Sequence, residues 1–117
     1  MASAGIKAAD EEFGTTTQIV GSSDTATAMT DVVTYMEAAI SSKPDGLMAY
    51  CGLESMPTFV EKAWDLGIPT VAIDSDTPVE SSRIAYVGTD PYNAGYSTGE
   101  TMLKYTEGKA KVGVLCR

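Results

Sequence analysis

The sequence contains no histidine, and its only cysteines are Cys51 and Cys116. Without histidine no Ser-His or Cys-His pair can form, so any acid–base chemistry falls to Asp and Glu. Two thiols and no imidazole make a zinc centre improbable. Each cysteine closes an apolar, strand-like run, and both read as buried free thiols; a disulfide would require close Cα atoms, which spacing does not reveal. Positive charge is also scarce: 8 Lys and Arg stand against 16 Asp and Glu, a formal net charge of −8. That balance argues against nucleic acid and against anionic membrane surfaces. The glycines form neither G-x-G-x-x-G after a strand nor a Walker sequence, so no phosphate loop is present. No apolar run reaches the length of a membrane span. The opening Met1-Ala2-Ser3 lacks the basic segment and apolar core of a signal peptide.

What is present is a chain of 117 residues, 44% apolar, sufficient for one domain with a real core. The dominant stretch is Gly67-Ile68-Pro69-Thr70-Val71-Ala72-Ile73-Asp74-Ser75-Asp76. Pro69 to Ile73 is uncharged and apolar or β-branched, the pattern of a strand buried on both faces in a parallel sheet. It stops at Asp74. In open α/β sheets ligands bind beyond the carboxyl ends of strands, so Asp74 is either a ligand contact or a cap for the next turn.

Elsewhere, helix and strand signals alternate. A helix is expected over Ala4 to Phe13, closed by Gly14, and a strand over Thr15 to Gly21. Ser22-Ser23-Asp24-Thr25 is a capping cluster before a helix carrying Met29, Val32, Val33, Met36 and Ile40 at helical spacing. Lys43-Pro44-Asp45-Gly46 breaks that helix, and Leu47 to Cys51 reads as a strand. Ser55 and Pro57 open a third helix that buries Val60, Ala63 and Trp64, with Phe59 flanking, and ends at Gly67. After the strand at Pro69 comes a polar loop from Ser75 to Ser82, then a strand from Arg83 to Gly88. A turn or hinge follows at Thr89-Asp90-Pro91. A helix from Asn93 to about Thr106 carries Gly95 and Gly99 on one face, which suits close packing on a sheet. Lys111 to Cys116 is the final predicted strand. Such alternation implies a Rossmann- or flavodoxin-like parallel sheet with helices on both faces.

Asp74-Ser75-Asp76-Thr77 invites an enzymatic reading, because it resembles the start of the haloacid dehalogenase phosphatase motif, with a nucleophilic Asp74, an acid Asp76 and magnesium between them. The position where that motif wants threonine or valine is Pro78. Glu54 and Asp76 suit capping or loop roles better than catalysis.

A second resemblance spans nearly the whole chain. Gly5 to Gly14, Pro44-Asp45-Gly46-Leu47, Gly67 to Asp74, and Tyr86-Val87-Gly88-Thr89-Asp90 with Asn93-Ala94-Gly95 resemble, in order and spacing, the periplasmic sugar-binding proteins of ABC transporters. The ribose-binding type is the nearest match, and the effector cores of lactose-repressor-type regulators are related. The resemblance implies two Rossmann-like lobes closing on a ligand, with residues 4–89 corresponding to most of one lobe. Residues 90–117 would supply the hinge and the first helix and strand of the other. It implies non-catalytic sugar binding without a cofactor or metal, an extracytoplasmic location and a membrane permease as partner. Asp74 matches the family's sugar-binding aspartate; a carboxylate can accept from two adjacent sugar hydroxyls at once. Ser75 stands where ribose binders have arginine, and Asp90 matches the hinge aspartate; with Asp74, these are the ligand-binding residues that the resemblance implies. The family's first strand has no counterpart before Gly5, so the chain reads as a fragment of such a protein, and a structural fragment with no surviving ligand site is a further reading beside sugar binding. Its central slot could be filled by residues 111–116, closing the sheet as a circular permutant between Gln18 and Leu47, or by a strand-swapped second copy.

Overall fold

A computed structural model describes residues 2–22, 27–108 and 111–115. Among these residues four helices and three strands are formed: α1 (Ala2–Phe13), α2 (Ala28–Ser41), β1 (Leu47–Ala49), α3 (Met56–Asp65), β2 (Thr70–Asp74), β3 (Ala85–Gly88) and α4 (Pro91–Thr106). The sheet is parallel, in the order β1-β2-β3. Thr70 pairs with Leu47, and Asp74, the last residue of β2, pairs with Gly88. The α/β architecture expected from the sequence is thus present, with β2 at its centre.

The core lies where α2 and α3 meet β2. Met36 and Ile40 from α2 and Met56, Val60 and Ala63 from α3 are buried together with Cys51, Ile68 and Ala72. Met56, Val60 and Ala63 recur at helical spacing, so one stripe of α3 faces the sheet. Trp64 does not join them, contrary to the sequence reading. It lies about 100° around the helix from Ala63 and is half exposed. Gly67 ends α3 at φ 76, where a side chain would be strained, and its N–H donates to the Trp64 carbonyl at 2.8 Å.

Two predicted strands are absent. Residues 15–21 are irregular, and so are 111–115, which are exposed and lie outside the sheet. The physical reason is the same for both: a strand exists only through its ladder, and neither segment meets a partner backbone. Closure of the sheet by the chain's own 111–115 is therefore not formed; Cys116 lies outside the described residues. The start of the first segment is instead anchored to α1. Asp10 accepts from the Thr15 hydroxyl at 2.5 Å, the Thr17 hydroxyl at 2.8 Å and the Thr17 N–H at 3.1 Å. These bonds, those from Thr15 foremost, lower the Asp10 pKa.

The capping cluster expected at residues 22–25 is only partly described. Thr27 occupies the N-cap of α2 without a side-chain bond to the backbone. Close packing of Gly95 and Gly99 on a sheet is also not found: a Cβ on either would meet open space, and α4 has no buried residue. The chain is correspondingly elongated. Its radius of gyration is 17.6 Å, against roughly 13 Å for a compact chain of this length.

Candidate functional site

The carboxyl ends of β1, β2 and β3 form one rim. β2 ends in a tight reversal: Ser75 N–H donates to the Ile73 carbonyl at 2.8 Å, and Asp74 between them has φ 66. A γ-turn of this hand is uncommon, though Asp tolerates positive φ better than most residues. The turn stops the strand and leaves the Asp74 side chain exposed at its tip. Among the described residues that carboxylate has no hydrogen-bond or ion-pair partner.

Three contacts hold the turn in place. The Tyr86 hydroxyl, from β3, lies 3.0 Å from the Asp74 carbonyl and 2.9 Å from the Thr89 carbonyl, so one phenol bridges the ends of two strands. Cys51 N–H donates to the Ser75 carbonyl at 3.2 Å, extending the β1–β2 ladder past Asp74. Gly52 completes the arrangement, since a Cβ there would sit 2.6 Å from the Tyr50 hydroxyl and 2.9 Å from Ser75 Cβ. The glycine is thus required by close approach. Tyr50, which the sequence reading passed over, brings an aromatic ring to the same rim; an aromatic directly after a predicted strand was the available signal.

The other acidic residues have structural tasks. Asp76 is held by Arg83, which donates to it through Nε and, at 2.6 Å, through a terminal nitrogen; Asp76 also accepts from Thr77 N–H at 2.8 Å. The Arg83 bonds are the main reason that its pKa is lowered. With its charge committed to Arg83, Asp76 braces the loop after β2. Asp90 caps α4, accepting from Asn93 N–H at 3.0 Å and from the Asn93 side-chain amide at 2.7 Å. Glu54 is exposed. Buried Cys51 has its thiol pushed up to about 11, chiefly by desolvation and then by the Asp76 charge.

The structure therefore gathers Asp74, Ser75 and the start of the Asp90 turn on one rim. It leaves Asp74 open and engages Asp90 locally. A strand-end carboxylate on a stiffened turn, at the ligand-binding end of a parallel α/β sheet, has the form of a binding-protein lobe.

The periplasmic binding protein domain family matches residues 1–117, and the chain belongs to that family. Among solved structures, the fold is similar to XylFII (35% identity, TM-score 0.80, covering 88% of this chain and 37% of that one). It is also similar to GanP, a glucose-galactose binding protein from Geobacillus stearothermophilus (34% identity, TM-score 0.81, covering 93% of this chain and 38% of that one). XylFII in complex with LytSN gives 35% identity and a TM-score of 0.79. The chain thus spans well under half the length of these relatives, 37% and 38% in the two pairs just given. A search of curated proteins finds no match.

Proposed function

We propose that this chain supplies part of a non-catalytic sugar-binding site of an extracytoplasmic solute-binding protein. The carrying observation is the open, exposed Asp74 carboxylate at the tip of β2. Its two oxygens can accept from neighbouring hydroxyls of one sugar ring, and charge-assisted bonds of this kind are short and directional. Ser75 is placed to add a hydroxyl contact beside it. Asp90, at the expected hinge, contributes by fixing the start of α4 and so the direction in which the chain leaves the lobe. Family membership and the glucose-galactose binding relative support the sugar class. A membrane permease of an ABC transporter is the partner that this reading implies for the whole protein. Partnership with another protein is the alternative suggested by the XylFII–LytSN complex.

Calorimetric titration with pentoses and hexoses tests the reading, with magnesium plus a phosphate ester as a separate arm. Heat with at least one sugar, lost in Asp74→Ala, is the expected result. Folded protein that gives no heat with any sugar overturns it.

A further inference from the structure

Residues 75–84 join β2 to β3, and the Asp74 turn runs directly into this loop. The loop is closed at its neck. Arg83 forks onto Asp76, donating through Nε to one carboxylate oxygen and through a terminal nitrogen to the other at 2.6 Å. A guanidinium presents two parallel N–H groups in a rigid plane, so the contact fixes orientation as well as distance. The two side chains are 27% and 31% exposed, so the pair is partly shielded from water. Within the loop the Thr77 and Ser81 hydroxyls lie 3.1 Å apart.

The exit of the loop is tied to the core. Ser82 donates twice to Glu61 of α3, from its N–H at 2.7 Å and from its hydroxyl at 2.6 Å, and the two bonds take both carboxylate oxygens. Glu61 follows Val60, which is buried in the core. Ile84 N–H donates to the Thr70 carbonyl at 2.9 Å. Arg83 thus stands between two anchored residues, and its fork carries that anchorage across the neck to Asp76, two residues beyond Asp74. The entry side has less support of its own. Ser75 is held by its turn bond and by Cys51 N–H at a long 3.2 Å. Asp74 has φ 66, a conformation that persists only where its surroundings impose it. The ion pair also lies close to the residue that holds Ser75. After burial, the charges that act on the Cys51 thiol are Asp76, which raises its pKa, and Arg83, which lowers it.

We propose that Arg83 is a positioning residue for the Asp74–Ser75 turn. Acting through Asp76, it sets where the Asp74 carboxylate and the Ser75 hydroxyl stand relative to α3, as a supporting shell does for a binding site. Every residue involved lies between Cys51 and Ile84, inside the β1-α3-β2-β3 unit. The consequence for sugar affinity rests on the function proposed above, whereas the placement of the turn does not.

Amide hydrogen exchange on the full chain, with titration calorimetry beside it, tests this. In Arg83→Gln the Ser75 and Cys51 amides should exchange roughly tenfold faster, while the Val60 and Ala63 amides of α3 keep their wild-type rates. Asp76→Asn should reproduce the pattern, and the double variant should be no faster than either single one, because the two residues act as a unit. Arg83→Lys keeps the charge without the fork and should restore the rates only in part. For whichever sugar the wild-type protein binds, affinity in Arg83→Gln should fall roughly fivefold, and Ser75→Ala should cost less in that background than in wild type. Unchanged Ser75 and Cys51 rates overturn the proposal. So does acceleration spread equally over α3, which would make the ion pair a general stabiliser, and so does local acceleration with undiminished sugar affinity. If no sugar gives heat with the wild-type protein, the sugar reading falls by itself, and the exchange pattern still decides the placement of the turn.

Discussion

The Tyr86 hydroxyl lies 3.0 Å from the main-chain carbonyl of Asp74, one strand away. The same hydroxyl is 2.9 Å from the Thr89 carbonyl, one residue before the α4 cap. The candidate ligand acceptor and the exit of the chain are therefore positioned by one phenol. Tyr86→Phe removes the bond and keeps the ring, which packs against the core. We expect a loss of about 1 kcal/mol in urea unfolding, the usual net value of such a bond. We also expect sugar affinity to fall several-fold, read by titration calorimetry. Unchanged affinity would show that the turn holds its shape without the tyrosine.

Asp74 sits at φ 66, a conformation glycine adopts without strain. Asp74→Gly should abolish sugar binding while leaving the denaturation midpoint unchanged or raised. Asp74→Val should lower that midpoint, because a β-branched side chain is poorly tolerated at positive φ. Equal stability of the two variants would place the strain elsewhere.

Three carboxylates titrate below their ordinary range: Asp10 through its threonine bonds, Glu61 through its bonds from Ser82, and Asp76 through Arg83. A carboxylate with a depressed folded-state pKa contributes stability that is complete above its unfolded pKa of about 4. That contribution is lost as pH falls through the lower, folded value. The urea midpoint should thus be insensitive to these groups from pH 7 down to about 5 and fall below about 4. Asp76→Asn should flatten the acid limb. An unaltered limb would assign acid sensitivity to other groups.

Thr70 is buried in β2, and its hydroxyl finds no hydrogen-bond partner among the described residues. Thr70→Val keeps the shape and removes an unsatisfied polar atom. A gain of about 1 kcal/mol is expected in urea unfolding. A loss would reveal a partner for the hydroxyl, such as bound water.

Cys51 is fully buried with its thiol pushed up to about 11. At pH 8 it should resist iodoacetamide in native protein and react readily in urea, with peptide mapping assigning the label. Rapid native labelling would mean that the core opens easily around β1.

The central strand and the helices were readable in the sequence because their signals are local. Pro69 to Ile73 is an uninterrupted apolar run, and Met36 with Ile40 and Val60 with Ala63 repeat at helical spacing. Asp74 stood out for the same reason, as the first charge after such a run. The segments at Thr15 and Lys111 misled because β-branched composition states only what a strand would accept. Whether a neighbouring backbone is available is not encoded within the segment. Asp76 and Asp90 looked alike in sequence, both acidic and near strand ends. Only three-dimensional placement shows Arg83 closing on one and Asn93 on the other. The tie from Tyr86 to Asp74 joins residues on neighbouring strands, and no short-range pattern announces it.

α4 has a well-made cap at Asp90 but no buried side chain. A helix of this length that buries nothing is marginal in water, and its helicity falls steadily with temperature. On warming, therefore, helical ellipticity should begin to fall gradually, well before the sheet melts, without a matching calorimetric peak. The two signals should thus separate, so that ellipticity alone would understate the melting temperature of the core.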